Sequence, residues 1–136
     1  MPVSVKWLKV DHILGVTMQG QVERIPFMQM DEQITHKLKT ANSPQVHVVF
    51  NCNDLTGLPG YEVYRDSLFT YQNRLGWGVA FGNNGVTSYF INNFMTMHEI
   101  YFHLCTTFSE ALQFLMMVDR DLTNKVDLST LYSVAN

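Results

Sequence analysis

The chain has 136 residues, 46% of them hydrophobic and 15% charged, and its formal net charge is -3 at pH 7. This length fits one domain, so we predict a single domain over residues 1–136, with a core at about 3–118 and a carboxyl-terminal extension at 119–136. The slightly negative charge argues against nucleic-acid binding, and no apolar run approaches the 18 residues that span a membrane.

Two strands open the chain. Apolar and polar residues alternate over residues 3–10 and again over residues 13–20, and Asp11 with His12 separates the two runs. Alternation with this period is typical of strands that pack one face against the core and leave the other face partly exposed to solvent. The pattern therefore predicts a hairpin at the edge of a sheet.

A helix follows, because the spacing of the apolar residues changes from two to three or four. Pro26 is tolerated only in the first turn of a helix, which places the start near Arg24 or Ile25. The Asn-Ser-Pro sequence at residues 42–44 ends it. The predicted buried stripe consists of Phe27, Met30, Ile34, Leu38 and Ala41.

The most apolar strand is predicted over residues 46–50, which read VHVVF. Its β-branched and aromatic residues indicate a strand that is covered on both faces, as a central parallel strand is. Residues 51–60, NCNDLTGLPG, indicate a polar loop at the carboxyl end of this strand. Open α/β sheets keep their binding crevice at that end.

Two more helices and a strand are predicted next. Tyrosine and leucine recur at helical spacing from Tyr61 to Leu75, so we predict a second helix there that stops at Gly76. A short apolar strand is predicted over residues 77–82. After a turn at residues 83–85, a third helix carries an apolar stripe that ends near Met97.

The last predicted strand covers residues 100–105, where apolar and polar side chains alternate. Thr107 and Glu110 match a capping box, which starts a fourth helix. Residues 127–134 favour one or two further helical turns. The whole order predicts an α/β fold with a single mixed, mostly parallel sheet of about five strands, an amino-terminal hairpin and about four helices.

This order of elements resembles the STAS domain, the fold of bacterial anti-sigma-factor antagonists. Residues 48–58, VVFNCNDLTGL, are similar to the strand and loop of that family, and residues 77–81 take the place of its next core strand. Residues 100–115, IYFHLCTTFSEALQFL, resemble its closing strand, capped turn and helix. The resemblance implies a non-enzymatic regulatory domain of a bacterial pathway that binds a protein partner.

One feature of the antagonists is missing from this sequence. They carry a phosphorylatable serine shortly after the loop, whereas residues 59–63, PGYEV, offer no hydroxyl except that of Tyr61. Thr56 and Ser67 are present but do not occupy the motif position. The phosphorylation switch of the family is therefore not expected here.

We predict a ligand or partner site at the strand-end loops. If the strands before them are parallel neighbours, both loops lie at one edge of the sheet, and amides near Gly60 and Gly85 could hold a phosphate or carboxylate. The alternative is that Asn, Gly and Pro only form turns there. The predicted site residues are Asn51, Asn53, Asp54, Thr56, Gly60, Tyr61, Tyr64, Asn83 and Asn84.

The eight Met, nine Phe and six Tyr are many for this length. They predict either an aromatic core or a surface that meets a partner, and self-association as a homodimer or larger homo-oligomer is one form of the second. A run of tyrosines on the second predicted helix favours such contact. The alternative function is a carrier or sensor of a small apolar or amphipathic ligand held between the sheet and the helices.

No catalytic or metal motif is predicted, and neither is a cofactor. The spacing of His98 and His103 differs from the HExxH motif of metalloproteases. Cys52 is a nucleophile only if a neighbour lowers its pKa, and no histidine is placed beside it by the sequence. We expect Cys52 and Cys105 to be free thiols in a reducing cytoplasm.

Overall fold

The structure is a computed structural model that describes residues 2–98 and 101–125. A 3-10 turn at Phe69–Tyr71 lies between the second helix and the fourth strand. The strands and helices, in chain order, are β1 (Val3–Lys9), β2 (Ile13–Gln21), α1 (Arg24–Thr40), β3 (Val46–Gly57), α2 (Tyr61–Arg65), β4 (Leu75–Phe81), α3 (Gly85–Met97), β5 (Tyr101–Cys105), α4 (Phe108–Val118) and α5 (Leu122–Lys125).

The five strands form one sheet in the order β1-β2-β3-β4-β5. The β1–β2 pair is antiparallel and the other three pairs are parallel. This confirms the predicted mixed, mostly parallel sheet with an amino-terminal hairpin. Asp11, in the hairpin turn, has a positive φ of 69°, a conformation that aspartate tolerates better than most residues.

The central strand β3 packs against helices on both faces, as predicted. Val48, Phe50 and Cys52 point into a core shared with α1, α2 and α3, whereas Val49 points into a core shared with α4 and α5. The Phe50 ring anchors the first core: its centroid is 5.0 Å from that of Phe90. Buried aromatic pairs at this distance add to the stabilisation that comes from area alone.

The polar residues 51–57 are part of β3, so the predicted loop over residues 51–60 is wrong for most of its length. They pair with β2 as far as Gln21 opposite Gly57, and Val22 N–H donates to the Gly57 carbonyl at 3.0 Å. Because β2 supplies partners for the backbone groups, pairing overrides the loop-like composition.

The second helix is much shorter than predicted. It ends at Arg65, the 3-10 turn follows, and β4 already begins at Leu75. Tyr64 and Tyr71 therefore do not share one helical stripe: Tyr64 is fully buried, whereas Tyr71 is largely exposed. The physical reason is a carboxylate on α1, described below, that binds the backbone after α2.

The remaining elements agree with the sequence where the structure describes them. Helix α1 begins at Arg24, and Thr107 caps α4 by accepting a hydrogen bond from Glu110 N–H at 3.2 Å. The Glu110 carboxylate reaches back to Thr106 N–H at 3.0 Å. The helical turns predicted for residues 127–134 lie outside the described residues.

Candidate functional site

The structure distributes the predicted site residues over four places. Asn51 and Asn53 lie on β3 and line a groove. Asp54 and Thr56 are exposed on the extension of β3 along β2. The other residues lie at helix starts: Gly60 precedes α2, Tyr61 and Tyr64 are in α2, and Asn83 and Asn84 precede α3.

The groove beside Asn51 and Asn53 lies between β1–β3 and the start of α4. Its volume is about 330 Å³, and we call it the α4 groove. Asn51 Oδ1 accepts a hydrogen bond from Asn53 N–H at 3.1 Å, which fixes the Asn51 side chain at its edge. Its other lining side chains include Lys6, Leu8, Thr17, Phe81 and Phe108.

Asn84 forms the turn before α3. Its Oδ1 accepts hydrogen bonds from Thr87 N–H and Thr87 Oγ–H, both at 2.9 Å, and its Nδ2 donates to the Cys52 carbonyl at 3.0 Å. Asparagine in this position caps a helix and satisfies its first amides. The polar atoms of Asn84 are thus used within the fold, in line with the alternative of turn formation.

A second groove, which the sequence did not predict, lies between α1 and α2. Its volume is about 130 Å³, and we call it the α1–α2 groove. Two large apolar side chains at this groove are exposed, Met28 by 46% and Leu68 by 53%. Its lining side chains include Arg24, Phe27, Met28, Glu32, Val63, Asp66 and Leu68.

A buried carboxylate on α1 fixes the floor of this second groove. Asp31 is 7% exposed, and it accepts hydrogen bonds from Leu68 N–H at 2.8 Å and Phe69 N–H at 2.9 Å. It also accepts one from Ser67 Oγ–H at 3.1 Å. Because the carboxylate holds these consecutive donors, it ends the helical run after α2 and orients Leu68.

A histidine and an aspartate connect the start of β3 to the segment between α4 and α5. His47 is buried; its Nδ1 accepts from Trp77 N–H at 3.0 Å, and its Nε2 lies 2.9 Å from Asp119 Oδ2. A ring nitrogen that accepts from an amide carries no proton, so the proton of the neutral ring is on Nε2 and is donated to Asp119.

Cys52 lies in the core, and burial raises the pKa of its thiol to about 12, against a smaller lowering effect of a hydrogen bond with Thr87. Burial also raises the pKa of the Cys105 thiol, with the Glu110 charge adding to the shift. The thiolate is the nucleophilic form of cysteine. Both shifts therefore oppose catalysis by these thiols.

We expect iodoacetamide at pH 7.5 to alkylate Cys52 in the folded chain roughly 10³-fold more slowly than in the denatured chain, because so little thiolate is present. The rate should rise with pH, since the thiolate population grows as the pH approaches the raised pKa. Peptide mass spectrometry of timed samples measures this. Alkylation of Cys52 at the denatured-state rate would contradict the burial described above.

Two classes of site find no support in the described residues. Within residues 2–98 and 101–125, no group of three or more His, Cys, Asp or Glu side chains is placed to hold a metal ion. Over the same residues, no helix combines the length and the apolar character that crossing a bilayer requires.

The solved structures that are similar to this one include the following two. The first is an uncharacterised protein of the DUF3478 family with a SpoIIAA-like fold from Shewanella loihica PV-4; the TM-score is 0.59 at 15% identity, over 83% of this chain and 91% of that chain. The second is the anti-sigma factor antagonist SpoIIAA in its unphosphorylated form; the TM-score is 0.57 at 8% identity, over 92% of this chain and 98% of that chain.

The sequence comparisons add nothing to these structural matches: no family model matches the chain, and no curated protein is significantly similar to it. The structural matches bear on the order of elements and on the sheet, both of which they share with this chain over most of its length. The chain therefore has the SpoIIAA-like fold, which is the STAS-like α/β fold that residues 48–58 and 100–115 predicted.

Proposed function

We propose that this protein is a non-enzymatic regulatory domain that acts by binding another protein through the α1–α2 groove. The observation that carries the proposal is the exposure of Met28 and Leu68 on either side of a groove with charged residues at its rim. Exposed apolar side chains within a polar rim are typical of protein-binding surfaces. The fold of an anti-sigma factor antagonist supports a regulatory role.

The chemistry of the groove specifies the partner. Three carboxylates line it, those of Asp31, Glu32 and Asp66, together with the cation Arg24. Arg65 pairs with Asp66 at 3.2 Å, so the formal charge of the groove and its rim is still negative. A volume of about 130 Å³ suits one large aliphatic or aromatic side chain. We therefore propose a partner segment that inserts one apolar side chain here and presents a lysine or arginine beside it.

The state of the potentially reactive side chains supports a non-enzymatic role. Cys52, the candidate nucleophile of an enzyme, has a raised pKa and faces the core. Asp54, two residues further along the chain, is exposed on the extension of β3. Both ring nitrogens of His47 are engaged by Trp77 and Asp119, which leaves the imidazole poorly suited to proton transfer.

Packing between the sheet and the helices favours a protein partner over the alternative of a ligand carrier at that position. Phe50 contacts the rings of Phe69, Phe90 and Phe102, with centroids 5.0 to 6.0 Å apart, so aromatic side chains occupy this space. The free, buried thiols of Cys52 and Cys105 suit the reducing cytoplasm that we propose for the protein.

The proposal is tested by replacing Met28 with arginine. This substitution places a positive charge where we expect the lysine or arginine of the partner to bind. Affinity capture from a lysate of the source organism, followed by mass spectrometry, should recover a partner with the wild-type chain. Recovery should fall at least tenfold with Met28→Arg, since both apolar contact and charge complementarity are lost.

Val10→Arg is the matched control, because Val10 is also exposed and apolar but lies in the hairpin turn, away from the α1–α2 groove. Partner recovery should be unchanged with this variant. Light scattering coupled to size exclusion tests whether the partner is a second copy of the chain. A strictly monomeric chain that captures nothing, or equal losses in the two variants, would refute the proposal.

A further inference from the structure

The α4 groove is separate from the α1–α2 groove and lies on the opposite face of the sheet. Val49, at its floor, belongs to the core beneath α4 and α5, whereas Phe27 and Val63 of the α1–α2 groove belong to the other core. Its volume of about 330 Å³ is near the lower end of the range for small-molecule sites, roughly 300–1,000 Å³. Protein binding at α1 and α2 does not account for it.

The strand register shows how the lining of the α4 groove changes across the sheet. Thr17 pairs with Asn51, and Asn51 pairs with Phe81, so one row runs from a hydroxyl through an amide to an aromatic ring. The Phe81 ring packs on Phe108, with centroids 5.7 Å apart. The groove is therefore polar over β2 and β3, whereas at β4 and the start of α4 the two rings lie beside the hydroxyl side chains of Thr106 and Thr107.

A neighbouring row places a cation at the β1 side. Lys6 pairs with Gly15, which is buried; the Leu8 side chain covers Gly15, with Leu8 Cγ 2.7 Å from where a Cβ atom would lie. Adjacent strands are about 4.8 Å apart, and Phe81 lies two residues further along β4 than the row of Lys6, so Lys6 and Phe81 are separated by roughly 16 Å. The groove thus has a cationic side and an apolar side at a distance that suits a small organic molecule.

The charges around the groove favour an anionic ligand that is held by Lys6. Among the described residues that line it, Lys6 is the single one with a charged side chain. The start of α4, which would otherwise attract an anion, already holds the Glu110 carboxylate through Thr106 N–H and Oγ–H. The hydrogen bonds from Thr106 lower the pKa of Glu110, so its carboxylate stays ionised at neutral pH.

We propose that the α4 groove binds a small amphipathic molecule with an apolar body and one anionic group. The apolar body lies against Phe81 and Phe108, and the anionic group lies near Lys6. Asn51 and Asn53 hydrogen-bond to polar atoms between the two ends.

A pair of fluorescent probes tests both halves of the proposal. The anion 8-anilinonaphthalene-1-sulfonate and the neutral N-phenyl-1-naphthylamine share one apolar body and differ by the sulfonate. We expect saturable binding of both to the full chain, with the anion bound more tightly by up to about fivefold, the upper end of the range for one exposed ion pair. Amide chemical shifts in a ¹H–¹⁵N titration should move at Gly15, Asn51 and Asn53.

Two variants with matched controls locate the site. Thr17→Phe fills the groove and should weaken both probes at least tenfold, whereas Gln19→Phe adds the same ring at an exposed position of β2 outside the groove. Lys6→Gln should remove the preference for the anion, whereas Lys9→Gln should not. The circular dichroism spectrum and melting temperature of each variant verify that it is folded.

Each result of these experiments either supports the proposed site or overturns it. Loss of binding in Thr17→Phe alone, together with loss of the anion preference in Lys6→Gln alone, supports the site. Absence of saturable binding to the wild-type chain, equal effects in variant and control, or shift changes confined to other residues would each overturn it. Because Met28→Arg leaves the α4 groove untouched, failure here is distinguishable from failure of the proposed protein-binding function.

Discussion

Asp31→Ala is expected to lower the free energy of unfolding by about 3 to 4 kcal/mol, because it leaves several donors without their acceptor. The donors are Ser67 Oγ–H, Leu68 N–H and Phe69 N–H, and Ser67 and Phe69 are buried. The loss is smaller than a simple sum over these bonds, since water can reach the half-exposed Leu68. The midpoint of urea unfolding, at unchanged slope, measures it.

Two variants show whether the carboxylate of Asp31 is the cause. Glu32→Ala removes an exposed acid from the next position of α1 and should change the free energy of unfolding by less than about 0.5 kcal/mol. Asp31→Asn keeps one oxygen acceptor and should give an intermediate loss. Equal destabilisation by Asp31→Ala and Glu32→Ala would show that the hydrogen bonds at the 3-10 turn contribute little.

The same carboxylate connects stability to the proposed function. Leu68, whose amide Asp31 holds, contributes an exposed apolar side chain to the α1–α2 groove. A buried residue therefore positions a surface residue. Asp31→Asn should weaken partner capture through loss of this geometry, even under conditions where the chain remains folded.

The sheet could be predicted from the sequence because the spacing of apolar residues within each strand shows which of its faces are buried. The alternation at residues 3–10 and 13–20, and the apolar run at 46–50, reflect which faces are packed. The bounds of α2 could not be predicted in the same way, since Asp31 on another helix decides where it ends. Asp31 itself left a signal: a polar residue on the buried stripe, four positions after Phe27.

Gly76 is a second position where a tertiary contact, not the local sequence, decides the structure. The sequence predicts it as the stop of a helix, but it lies inside β4, where a Cβ atom would come within 2.6 Å of His47 Nδ1. Glycine is needed there because a side chain packs against the backbone. Local sequence cannot distinguish a glycine that ends a helix from one that admits a neighbouring ring.

The α4 groove and the α1–α2 groove also differ in how much of each the sequence could predict. Asn51 and Asn53 were predicted as site residues of a loop, whereas their common groove depends on the extension of β3, which places both side chains on one face of the strand. The α1–α2 groove requires tertiary structure, because Met28 and Leu68 meet across two elements whose approach no local pattern encodes. Met28 nevertheless gave a hint, as an apolar residue outside the buried stripe of its helix.

His47→Ala is expected to lower the free energy of unfolding by about 3 kcal/mol. The causes are a cavity on the side of the sheet that α4 and α5 cover and the loss of two hydrogen bonds. Trp77 N–H loses its acceptor and the Asp119 carboxylate loses its donor. His36→Ala, at an exposed position of α1, is the control and should be nearly neutral. Thermal or urea unfolding of both variants measures the difference.

A double-mutant cycle isolates the bond between β3 and the segment after α4. The Asp119 side chain is 20% exposed, so Asp119→Ala alone should cost about 1 kcal/mol, and the coupling with His47→Ala should be about 1 to 2 kcal/mol. Asp121→Ala, which removes an exposed acid from the same segment, should show no coupling with His47→Ala. A coupling near zero for Asp119 would mean that the His47 ring stabilises the chain by packing and by its bond with Trp77 alone, and that its hydrogen bond to Asp119 contributes nothing.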